Sequence, residues 1–136
     1  MPGQQLQQRF YELNAGRSAE AVQQAWKVIQ AAYLESHRCY HTLNHLSDLF
    51  RQMDQVKPML KNVPVVAMAV YYHDIIYQPG SADNEERSAA ISTETLHRLG
   101  WKERDVREVA AYIRSTKTHE PDPGVLNAGD LDAFLD

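Results

Sequence analysis

The stretch Pro64-Val65-Val66-Ala67-Met68-Ala69-Val70-Tyr71-Tyr72 leads without a single charge into His73-Asp74. A segment of this length is far short of the roughly 20 apolar residues that cross a membrane, so it reads as a helix in a protein core, expected over residues 63–75. Pro64 suits the first turn, where its missing N–H costs nothing and its φ is already helical. The run therefore delivers His73 and Asp74 to the edge of a core, at the carboxyl end of a helix. There the dipole disfavours a carboxylate, and an unpaired one would be costly. A bound cation reverses that sign, because it becomes the largest local charge and stabilises ionised ligands.

About thirty residues earlier stands Tyr40-His41-Thr42-Leu43-Asn44-His45. On a helix opening near His41 its two histidines, at i and i+4, share one face. Each phrase alone has an ordinary structural reading. Together, with the second ending a buried helix, they point to a divalent-metal site.

Working outward, the periodicity gives helices throughout. Leu6, Phe10, Tyr11 and Leu13 form a short first helix that Asn14-Ala15-Gly16 ends. Ser18 is placed to cap the next segment, whose stripe Ala21, Val22, Trp26, Val28, Ile29, Ala32 and Tyr33 runs to about Glu35 and makes its aromatics core residues. The third helix carries Leu43, Leu46, Leu49, Phe50 and Met53 inward and fades before Pro58. After the buried helix, Tyr77-Gln78-Pro79-Gly80-Ser81-Ala82-Asp83 holds the Pro-Gly pair of a turn. A fifth helix from about Asn84 to Leu99 closes at Gly100. A sixth, from Trp101 to Ser115, buries Val106, Val109, Ala110 and Ile113. No segment alternates with period two for long enough to be a strand, so the fold class is all-α.

With 136 residues, 14 basic and 18 acidic side chains, the chain fits one domain, and no Lys/Arg cluster suggests a nucleic-acid polymer as partner. Cys39 is the sole cysteine, which excludes an internal disulfide and a thiolate zinc site. The start, Met1-Pro2-Gly3-Gln4-Gln5, has neither a basic leader nor an apolar signal core, so the expectation is a cytoplasmic protein with no membrane partner. The acids of Asp83-Asn84-Glu85-Glu86-Arg87 suit a helix N-terminus, yet Glu85, Glu86 or Arg87 can also face the metal hollow. His119, beyond Thr116-Lys117-Thr118, is a further candidate, equally readable as a solvated loop residue.

His45 followed by His73-Asp74 in a chain of short helices resembles the HD superfamily of metal-dependent phosphohydrolases, and Tyr40-His41-Thr42-Leu43-Asn44-His45-Leu46-Ser47-Asp48 is similar to a signature of its cyclic-nucleotide phosphodiesterase branch. Arg38-x-Tyr40-His41, His73-Asp74-Ile75-Ile76-Tyr77, Asp83-Asn84-Glu85-x-Arg87-Ser88-Ala89 and Thr116-Lys117-x-His119 look more closely like a bacterial group of predicted HD phosphohydrolases. This match spans residues 38–136. The resemblance implies a single HD-like bundle of about six or seven helices over residues 1–136. It makes His45, His73 and Asp74 metal ligands and His41 the general acid. The fourth ligand of that superfamily is an aspartate on a late helix. Here the chain reaches only Gly129-Asp130-Leu131-Asp132-Ala133-Phe134-Leu135-Asp136, the start of an uncapped amphipathic segment, so the domain is expected to be truncated at its C-terminus. Either Asp130, Asp132 or Asp136 substitutes, or the ligand lies beyond Asp136, in which case the chain binds metal weakly and is inactive.

The expected chemistry is hydrolysis of a small-molecule phosphate ester, such as a nucleotide, by water activated on a divalent ion. Imidazole and carboxylate ligands suit Mn, Fe, Co, Ni or Zn, with Mg an option where carboxylates dominate. Asp74 is placed to bridge to a second ion, and Glu85 is the remaining catalytic candidate. His41 donates a proton to the departing oxygen, while Arg87, Lys117 and His119 hold phosphate oxygens. Two alternatives stand beside this: a non-catalytic metal- or nucleotide-binding signalling module, and a helical interaction domain with structural histidines. Helical domains of this type often pair, so a homodimer is compatible, although no stripe is clearly surplus to the core.

Overall fold

The computed structural model describes residues 2–36, 38 and 42–118. It is all-helical: α1 (Pro2–Leu13), α2 (Ala19–Tyr33), α3 (Leu43–Val56), a 3₁₀ turn (Lys57–Met59), α4 (Val63–Tyr72), α5 (Asn84–Leu99) and α6 (Glu103–Thr118). No strand occurs among the described residues. No helix among them is long and apolar enough to cross a membrane.

Helix α4 is the axis of the bundle. All its residues from Val65 to Tyr72 are buried, and it packs against α3, α5 and α6. That follows from its composition, since a helix apolar on every side must be enclosed. Its start is set locally: Asn62 accepts a hydrogen bond from the Val65 amide at 3.4 Å, and Pro64 sits in the first turn. Tyr71 ties it to the first half of the chain. Its ring packs edge-on against Phe10 and Trp26, at centroid distances of 5.2 and 6.3 Å, and lies 4.6 Å from Phe50. Its hydroxyl donates to the Leu6 carbonyl at 2.7 Å. Tyr33 donates to the Tyr71 carbonyl at 2.9 Å, and burial pushes its own ionisation far above the ordinary phenol range. Trp26 and Tyr33 are thus core residues, as their stripe indicates.

The expected caps form where local sequence specifies them. The Ser18 hydroxyl accepts from the Ala21 amide at 3.3 Å. Gly100 has φ +86°, with its amide donating to the His97 carbonyl and the Trp101 amide to the Leu96 carbonyl, both at 3.0 Å. That is a Schellman closure, which glycine enters without steric cost. Four boundaries differ from expectation, one of them the end of the sixth helix, which lies at Thr118 rather than Ser115. The sixth helix opens at Glu103, because Trp101 is used in the Schellman turn and its indole N–H donates to buried Asn14 at 2.8 Å. The third opens at Leu43, after Thr42 in extended conformation (φ −118°, ψ 176°). The fourth ends at Tyr72, leaving His73 and Asp74 in a turn.

Candidate metal centre

His45 lies in the first turn of α3. That helix buries Leu46, Phe50 and Met53, and this orients its neighbouring face, with half-buried His45, along the rim of the core. His73 immediately follows α4, its amide completing the helix with a 2.9 Å bond to the Ala69 carbonyl. Its Nδ1 is 2.7 Å from the Val70 carbonyl. A carbonyl only accepts, so Nδ1 carries the proton and the neutral ring offers its lone pair at Nε2. That Nε2 is 3.0 Å from Asp74 Oδ2. The His45 and His73 rings sit 6.5 Å apart, tilted by 53°. One ligand atom each from His45, His73 and Asp74 lies within 4.8 Å of the others.

The His73–Asp74 spacing matches that of adjacent ligands on a first-row divalent cation, and His45 stands within 4.8 Å of both. With metal–ligand distances of about 2.1 Å, adjacent ligands are about 3.0 Å apart at right angles and about 3.4 Å apart in a tetrahedron. The His73–Asp74 pair has that separation before any ion arrives. A carbonyl fixing the tautomer through the other ring nitrogen is the usual support of a metal-binding histidine. Burial disfavours the charged form of His73, but the hydrogen bond and negative charge of Asp74, with the Val70 carbonyl, outweigh it and raise its pKa above the ordinary value.

The turn bearing these donors is clamped from two sides. The Arg38 guanidinium, its side chain wholly buried, donates to the carbonyls of Asp74 at 2.6 Å and Ile75 at 2.8 Å and pairs through Nε with Glu35 at 2.9 Å. It lies over the rings of Tyr33 and Tyr77, at 5.0 and 5.9 Å from their centroids. On the other side, Ser88 accepts from the Ile76 amide at 3.0 Å. Asn84 accepts from the Gln78 amide at 3.1 Å and donates to its carbonyl at 3.0 Å. The phrase Asp83-Asn84-Glu85-Glu86-Arg87-Ser88 thus binds the loop to α5 as well as opening the helix.

Of the residues singled out from sequence, His45, His73 and Asp74 come together. Glu85 is half-buried at the start of α5 and is not a member of that donor group. Glu86 pairs with Arg114 at 3.0 Å across to α6, and Arg87 is exposed. Lys117 belongs to the last turn of α6, its side chain outside what is described. His41, His119, Asp130, Asp132 and Asp136 lie outside the described residues. Sequence reasoning assigned no role to Arg38, whose carbonyl partners are 36 and 37 residues away, beyond any local pattern.

An open cleft of about 640 Å³ borders this region, lined by Gln4, Gln7, Gln30, Arg38, Thr42 and Asn44 among others, but by none of the three donors. No family model, no curated protein and no solved structure matches this chain.

Proposed function

We propose that the chain is a metal-dependent phosphohydrolase of the HD type, with His45, His73 and Asp74 holding a divalent ion. The observation that carries this is the convergence of two imidazoles and a carboxylate, His45 standing 28 positions before the adjacent His73 and Asp74, with the Nδ1 of His73 held by the Val70 carbonyl so that Nε2 faces Asp74. The donor set favours Mn, Fe, Co, Ni or Zn over Mg. Even with a fourth protein ligand, a six-coordinate ion of this kind would keep positions for water and substrate. When bound, such an ion polarises a phosphoryl oxygen and acidifies water toward neutral pH.

The chain's own groups have separable tasks. His73 presents a fixed tautomer, and Asp74 supplies the negative charge that draws a cation into a partly buried turn. His41 is the proposed proton donor to the departing oxygen, and Glu85 a further acid–base group. Arg87, Lys117 and His119 are the proposed phosphate contacts, and a late aspartate, Asp130, Asp132 or Asp136, the proposed fourth ligand. The substrate class is a small phosphate ester such as a nucleotide.

The test is uptake of Mn²⁺ or Co²⁺ by the wild-type chain, followed by hydrolysis of p-nitrophenyl phosphate and bis(p-nitrophenyl) phosphate, in parallel with His73→Ala and Asp74→Ala. Near-stoichiometric uptake and a melting temperature that rises with added metal are expected. At a metal concentration of 100 Kd the native state gains about 2.7 kcal/mol by mass action. Both substitutions should remove the shift and lower turnover more than about 100-fold, beyond what losing a supporting contact costs. Unchanged turnover in folded variants would refute the assignment. Uptake without hydrolysis of either ester favours the non-catalytic binding module.

A further inference from the structure

We infer that Arg38 is the positioning residue of this centre, acting through the backbone of Asp74; the inference rests on the metal-binding reading above. The residues just past α4 have no helical partners for their carbonyls. Two of those carbonyls, on Asp74 and Ile75, are taken by one guanidinium at 2.6 and 2.8 Å. A planar fork fixes two successive carbonyls at a set mutual angle, which a single ammonium cannot do. The fork is itself fixed, by Glu35 at Nε and by the faces of Tyr33 and Tyr77. Asp74 therefore leaves the helix in one direction, which brings its Oδ2 to 3.0 Å from His73 Nε2.

The effect of Arg38 on cation binding has opposite signs under two views. As a positive charge beside the hollow, Arg38 repels a cation, and its removal strengthens binding. As the clamp that preforms the donor spacing, its removal weakens binding, because the metal must then pay for ordering the turn. The geometry points to the second: the charge is already paired with Glu35, and the one guanidinium spans both carbonyls.

The experiment is Co²⁺ titration at a temperature where circular dichroism shows every variant folded, read by calorimetry and by the visible absorption of the bound ion. It compares wild type, Arg38→Lys, Arg38→Gln, Glu35→Gln and His73→Ala. Both Arg38 variants are expected to bind 10- to 100-fold more weakly, the range for loss of a supporting contact, with altered cobalt absorption. Lysine should not rescue, although it keeps the charge. Affinity equal to or tighter than wild type in a folded Arg38→Gln overturns the inference and leaves the metal site standing. Wild type that binds no Co²⁺, or His73→Ala that binds as well as wild type, overturns the metal reading itself, and this inference with it. If neither Arg38 variant folds, Glu35→Gln decides. A several-fold weakening with altered absorption supports the clamp, and wild-type affinity overturns it.

Discussion

Asn14 is the bolt between the two ends of the helical stack, and its removal gives a sharp test of how the bundle is held. Its side chain is buried in the turn after α1, donates to the Phe10 carbonyl at 2.9 Å and accepts from Trp101 Nε1 at 2.8 Å, 87 positions later. Arg17 completes the junction, stacking 4.6 Å from the Trp101 ring centroid and donating to the Leu99 carbonyl at 3.1 Å. In Asn14→Ala the indole N–H stays buried without its acceptor, which costs about 1–3 kcal/mol, and the bond to Phe10 is worth about 1 kcal/mol more. The expected loss is thus about 2–4 kcal/mol, a large part of the roughly 5–15 kcal/mol stabilising a typical domain. Trp101→Phe removes the donor together with its need for a partner, and costs packing plus the orphaned amide oxygen. Because the two substitutions break the same bond, the double variant should lose about 1–2 kcal/mol less than the sum of the singles. Urea unfolding followed by circular dichroism measures all four corners of the cycle. An Asn14→Ala loss below about 0.5 kcal/mol, or additivity within about 0.3 kcal/mol, would refute the reasoning.

Arg9 and Asp54 join α1 to α3 through two bonds of 2.9 and 2.7 Å, and the hydrogen bond to Arg9 lowers the Asp54 pKa below the usual carboxylate value. A depressed folded-state pKa contributes stability that is present above the unfolded-state value near 4 and lost as pH falls through the folded one. Asp54 is well exposed, so Asp54→Asn should cost no more than about 1 kcal/mol at pH 7 and converge on wild type toward pH 2; a difference independent of pH in urea midpoints would contradict the assignment. Gly100→Ala should destabilise by about 1–2 kcal/mol, the cost of a left-handed conformation for a residue with a Cβ. The added methyl would meet Arg17 Nη1 at an ordinary 3.6 Å, so a melting temperature unchanged from wild type would show that the closure after α5 relaxes freely.

The core helix with Pro64 in its first turn, the Ser18 cap of α2 and the glycine closure of α5 were legible because each depends on neighbours within about five residues: an apolar run, a cap and a glycine are local facts. His45, His73 and Asp74 were legible as residue types that metal chemistry requires, and the bundle does bring one candidate ligand atom of each within 4.8 Å of the others. Less legible was the point where α4 stops. Nothing after Tyr72 forbids another turn of helix, and Ile75 is as buried as the residues before it. The stop accompanies the capture of the Asp74 and Ile75 carbonyls by Arg38 and of the Ile76 amide by Ser88, groups that further helix would have used within itself. Trp101, expected in the sixth helix, instead closes α5 with its amide on the Leu96 carbonyl, while its indole N–H reaches Asn14, 87 positions earlier.

The sequence by itself determined that this chain forms amphipathic helices around one wholly apolar helix, since burial and capping free energies act on patterns spaced by three or four residues. It also placed two histidines and an aspartate where helices begin and end. Only the tertiary structure decided that His73 and Asp74 sit in a turn with donor atoms 3.0 Å apart. That spacing comes from hydrogen bonds to the backbone between residues far apart in the chain, and backbone carbonyls and amides are the same at every position, so no side-chain pattern marks which of them a distant Arg38 or Ser88 will hold.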